Sequence, residues 1–182
     1  MPSWRSSSLG AAGEASPQAT SPPAPTSETT PATTSGDACP NHVPGVHTGA
    51  VDDPYGPGDE IALGCYIVIV DQVVPNATDA VIAANPGASP AEGNTFMTAT
   101  LTITRASDGP GDVDEVEVVA AGSMTTSGEP EDDLVVDPPR PTGELAEGES
   151  VTGTYVFEVS GGASISIELS IGSMTPVNVL PY

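Results

Sequence analysis

The stretch SDGPGDVDEVE, residues 107–117, gathers Asp108, Asp112, Asp114 and Glu117, and EPEDD, residues 129–133, adds Glu129, Glu131, Asp132 and Asp133. Carboxylate oxygens at this density are what calcium takes as ligands. The spacing is not that of an EF-hand loop, which needs acids at its first, third and fifth positions and a Glu at its twelfth. Asp108, Asp112 and Asp114 are therefore the cation candidates, and the competing reading of the same residues is a solvated acidic loop. CPNHVPGVH brings Cys39, His42 and His47 within nine residues. These are zinc ligand types, but a structural site needs a fourth ligand, and a disulfide at Cys39 would remove one of the three. Hydrolysis by paired carboxylates needs burial that drives two pKa values apart, whereas these acids sit in turn-rich sequence. There is no Gly-x-Ser-x-Gly elbow, and neither histidine adjoins a recognisable nucleophile. The residues are read as those of a non-enzyme without a cofactor, with a secreted hydrolase as the competitor from another class.

The charge balance excludes more. The chain has 25 acidic residues against three basic ones and a net charge of −22. Beyond residue 40 lie 22 of those acids, with Arg105 and Arg140 the basic residues there. A field of that sign repels phosphate backbones and anionic lipid, which rules against nucleic acid and against a polybasic membrane contact. No run approaches the ~18 apolar residues of a membrane span, so direct insertion is not expected. Solubility, or a source adapted to high salt, accounts for the acidity without a ligand; cation binding is the sharper alternative.

Residues 6–38 are almost all Ser, Thr, Pro, Ala and Gly, with one Leu and no aromatic. Such a segment cannot bury enough apolar surface to offset its ordering entropy, so residues 1–40 read as a disordered stalk and 41–182 as the folded domain. The start lacks the apolar core of a signal peptide. A Ser/Thr/Pro-rich stalk before a β-rich domain with two cysteines is nonetheless the plan of exported envelope proteins. The expectation is an extracellular or envelope-associated chain whose signal or anchor lies upstream. In an oxidising compartment Cys39 and Cys65 would pair, closing a loop worth roughly 3 kcal/mol on the chain-entropy model.

The elements that must position these groups are strands. EIALGCYIVIVDQVV, residues 60–74, predicts one or two strands broken near Gly64, and 75–93 a long loop with a short helical turn at 79–84. NTFMTATLTITR, residues 94–105, alternates, with Met97, Leu101 and Ile103 on the face to be buried. Residues 113–120 predict another strand. In SVTGTYVFEVS, residues 150–160, Tyr155, Phe157 and Val159 point inward, leaving Thr152, Thr154, Val156 and Glu158 on the other face. ASISIELSIGS alternates in the same way, and the Gly161-Gly162 pair between the two runs predicts a hairpin. PVNVLPY predicts a short last strand. About seven strands and no convincing amphipathic helix suggest an antiparallel β-sandwich, with a small barrel as the alternative.

GNTFMTATLTITR, an acidic loop and then LAEGESVTGTYVFEVSGGASISIELSIG resemble a family of bacterial envelope domains of unknown function. These are immunoglobulin-like sandwiches akin to the mycobacterial immunoprotective extracellular protein. In that family a strand opening near Gly-x-x-Phe precedes Leu-x-x-Gly-Glu-Ser-Val-x-Gly-x-x-x-Phe-x-Val, and the likeness covers about residues 58–175. The resemblance implies an extracytoplasmic immunoglobulin-like domain on a stalk, with no catalytic residues to carry over. The expected function is a non-enzymatic binding or structural module displayed on the stalk, its partner an unknown protein or glycan at the cell surface. A calcium-dependent module is the alternative.

Overall fold

Threonine and β-branched residues alternating in residues 94–105 fit a pleated surface with one wet and one dry face, and they form the longest strand. The structure, a computed structural model, describes residues 47–122, 125–162 and 164–181. Residues 1–40, expected to form a stalk, lie outside the described residues, and Cys39 and His42 with them. The strands run β1 (Glu60–Leu63), β2 (Tyr66–Val74), β3 (Asn94–Arg105), β4 (Gly111–Asp112), β5 (Val116–Gly122), β6 (Thr125–Gly128), β7 (Glu144–Leu145), β8 (Ser150–Ser160), β9 (Ile165–Ile171) and β10 (Val177–Val179). Among the described residues one α-helix, α1 (Thr78–Ala84), follows β2.

These strands make an antiparallel β-sandwich. One sheet has the order β1-β2-β3-β8, the other β10-β9-β5-β6, and β4 pairs with β7 in a small ribbon. The chain changes sheet between β3 and β5, between β6 and β8, and again between β8 and β9. That is an immunoglobulin-like Greek key: β2, β3 and β8 stand where strands A, B and E stand, and β10, β9, β5 and β6 where G, F, C and C′ stand. β1 is an added hairpin strand outside A. Gly64, at φ +54, supplies the left-handed residue of its tight turn, across which Leu63 and Tyr66 pair.

Between the sheets, Val68, Val70, Met97, Leu101, Ile103, Tyr155 and Phe157 of one meet Val116, Val118, Ile167 and Leu169 of the other in a single buried cluster. The inward face expected for β3 from its alternation, Met97, Ala99, Leu101, Ile103 and Arg105, is therefore the one observed.

Three expectations are corrected. Residues 113–115 form a 3₁₀ turn rather than the start of a strand, because the Asp112 side chain accepts the Asp114 N–H and caps the turn. Gly161-Gly162 does not make a hairpin: β8 pairs with β3, and β9 pairs with β5 and β10. Both strands carry an apolar face, and setting them in opposite sheets turns those faces toward each other across the core. Val156, expected on the open face of β8, is 2 % exposed. It joins Phe96, Ala77 and Val81 in a second cluster, because α1 and the segment around Leu134 and Val136 cover that part of the sheet.

Candidate functional site

The outer face of the first sheet concentrates polar groups in ordered rows. Alternation in β3 sends Thr98, Thr100, Thr102 and Thr104 outward beside Thr154, Thr152 and Ser150 of β8. Thr100 and Thr154 bond at 2.9 Å, Thr102 and Thr152 at 2.8 Å, and Thr104 and Ser150 at 2.7 Å. Thr102 also donates to Asp71 of β2 at 2.8 Å.

Where this face passes under α1 it becomes a shelf of about 400 Å³. Thr98, Thr100 and Thr154 form its floor, Gln72 and Val74 its β2 margin, Asn76, Ala77, Asp79 and Ala80 one wall, and Val136 with Asp137 the other. Both walls are fixed from below and from the side. Ala77 N–H donates to Phe96 O at 2.7 Å and Phe96 N–H to Thr78 Oγ1 at 3.0 Å, which seats α1 on β3. Asn85, at the end of α1, donates to Val135 O at 2.9 Å and accepts from Val135 N–H at 3.0 Å, tying the far wall to the helix. Sequence reading placed the threonines of the floor. It missed Gln72, Asn76, Asp79 and Asp137, whose proximity depends on two irregular segments meeting over the sheet.

The acids singled out in the sequence lie elsewhere, in the crossover from β3 to β5. Asp108, Asp112 and Asp114 are all exposed. Asp112 is engaged in capping the 3₁₀ turn, and Asp114 lies 4.0 Å from the Arg140 guanidinium. Among the described residues no three His, Cys, Asp or Glu side chains converge as a metal-binding group. His47 meets Asp53 at 2.9 Å, and this hydrogen bond, then the Thr48 N–H, holds the Asp53 carboxyl below its usual range. Cys65 sits half-buried in the β1–β2 turn, packed against the core.

Both arginines of the described residues are occupied by tyrosines and loops. Arg105, 8 % exposed, lies over the Tyr66 ring at 4.8 Å and donates from Nε to Gly109 O at 3.3 Å. Arg140 lies over the Tyr155 ring at 5.2 Å and pairs with Asp132. The shelf itself has no cationic side chain in its lining.

No helix among the described residues is long and apolar enough to cross a membrane. No protein-family model matches the chain, and no curated protein matches it. Solved structures with a similar course of chain include a candidate lipoprotein from Bacillus subtilis, 12% identical with a TM-score of 0.48, matched over 65% of this chain. This chain spans 37% of the length of that protein. Another is the yjhA protein of Bacillus subtilis, 11% identical with a TM-score of 0.49, over 70% of this chain and 99% of that one. An uncharacterized β-sandwich protein from Clostridium difficile is 5% identical with a TM-score of 0.48, over 71% of this chain and 95% of that one.

Proposed function

We propose that the chain is a non-enzymatic binding module, held outside the membrane on the stalk of residues 1–40, and that it engages a protein or glycan partner through the shelf on its first sheet. The observation that carries this reading is the shelf: a concavity of about 400 Å³ whose two walls are tied to each other by Asn85. Binding residues fall disproportionately on connecting segments held by a rigid scaffold, as both walls of this shelf are. The composition of the stalk and the resemblance of residues 58–175 to bacterial envelope domains akin to the mycobacterial immunoprotective extracellular protein support the compartment.

The test is site-specific photo-crosslinking on intact cells. A photoreactive residue at Gln72, on the shelf margin, is expected to trap a surface partner, and the same residue at Glu117, exposed on the other sheet, is not. Equal labelling from both positions, or none from Gln72, overturns the reading.

A further inference from the structure

We infer that the shelf takes a neutral saccharide. This rests on the binding-module reading and names the ligand class for the same site. The floor offers hydroxyls and the margins offer the amides of Gln72 and Asn76, groups that both donate and accept. In the Thr100–Thr154 pair one hydroxyl donates to the other, so that bond uses a single donor, and the half-buried Thr100 keeps lone pairs for a ligand. Asp79 and Asp137 accept only, and a carboxylate can take both hydroxyls of a vicinal diol. Interleaved with these polar groups are Val74 and Val136, which match the C–H faces of a sugar ring. A volume of about 400 Å³ lies within the range of small-ligand sites.

Other ligand classes fit less well. With two carboxylates and no cation in the lining, an anionic ligand's charge meets like charge and no counter-charge, and the net charge of −22 adds to the repulsion. A bare cation has two carboxylates, carried on different walls, and no third to complete a ligand set. An apolar ligand would cover the threonine floor and the amides without replacing their hydrogen bonds to water. A polyol satisfies all three sets of groups at once.

The experiment is an amide NMR titration of the full chain with neutral disaccharides: cellobiose, maltose, lactose, α-mannobiose and diacetylchitobiose. A sulfated heparin disaccharide and spermidine serve as the charged comparisons. At least one neutral disaccharide is expected to shift the amides of Gln72, Asp79 and Thr98 to Thr100 saturably, with affinity unchanged at about 0.5 M NaCl, where exposed ionic contacts are screened. Gln72→Ala and Asp79→Asn, both at exposed positions, are each expected to weaken binding about tenfold while leaving the remaining spectrum in place. The inference is overturned if no neutral disaccharide shifts those amides, or if the only shelf ligand is spermidine and salt abolishes its binding. If the titration fails while crosslinking from Gln72 still traps a partner, the saccharide class is wrong and the binding module stands; if both fail, both fall.

Discussion

Tyr66 is the residue at which charge, burial and the crossover loop meet. Its ring supports the Arg105 guanidinium, and its hydroxyl reaches Asp112 O at 2.8 Å and Glu115 Oε2 at 3.0 Å. Burial first, and then the Glu115 carboxylate, hold its pKa up at about 12. Gly111 completes the nest, since a Cβ there would stand 2.6 Å from Arg105 Cζ. Because the folded state keeps the phenolic proton more tightly than the unfolded chain, whose tyrosine titrates near 10, the stabilising contribution is whole below about pH 10. It is lost as pH rises toward about 12. Tyr66→Phe is expected to cost about 1 kcal/mol at pH 8, from the lost hydroxyl bonds, and to flatten the decline between pH 10 and 12. Urea melts of both proteins at pH 8 and 11 check this; an undiminished alkaline decline in the variant would assign it to Tyr55 and Tyr155, whose pKa values burial also raises. Alternation along 94–105 places Arg105 on the inward face with Ile103, but the pattern does not show that a tyrosine ring receives it. Tyr66 and Arg105 are cross-strand partners, a matter of register.

Among the elements, periodicity made the strands legible, and the partner of each strand was the harder part. The run 94–105 is a strand over its whole expected length, and Gly64 breaks 60–74 where expected. The helical turn expected at 79–84 is α1. The Gly161-Gly162 turn misled because glycines permit a reversal without fixing whether the next strand hydrogen-bonds to the last one or faces it across a core. The clasp between α1 and Val135 was also hidden, since it rests on one asparagine imitating a strand partner 50 residues away in sequence. Asn85→Ala removes the donor and acceptor serving Val135 and is expected to cost about 1–2 kcal/mol. It should also raise hydrogen exchange selectively at the Val135 amide and over α1, leaving β3 and β8 protected. Uniform loss of protection across both sheets would mean that the clasp is not a separable element. The variant is expected to lower saccharide affinity too, because the Val136 and Asp137 wall loses its tether to the helix.

For the whole molecule the governing facts are the two cysteines and the surplus of carboxylates. In protein recovered from the cell exterior, thiol labelling without reductant is expected to find no free cysteine; two reactive thiols would remove both the Cys39–Cys65 pairing and the compartment argument built on it. The surplus acts through mutual repulsion. At a net charge of −22, with Arg105 and Arg140 stacked on tyrosines, the folded state is under self-repulsion that any electrolyte relieves. Screening alone predicts a smooth rise of Tm with NaCl and no special effect of calcium at matched ionic strength. Asp112 separates that outcome from a specific site. Its Oδ1 accepts the Asp114 N–H, a role an asparagine oxygen can keep, so Asp112→Asn subtracts a charge while preserving the cap. Under screening the variant is as stable as the parent or slightly more so, whereas Asp112→Ala, which loses the cap, falls by about 1 kcal/mol. If Asp108, Asp112 and Asp114 instead bound calcium, the parent would show a saturable rise in Tm at roughly 0.1–1 mM calcium, and Asp112→Asn would abolish it. The exposed placement of all three acids, two of them committed to a turn and to Arg140, puts the expectation on the smooth curve.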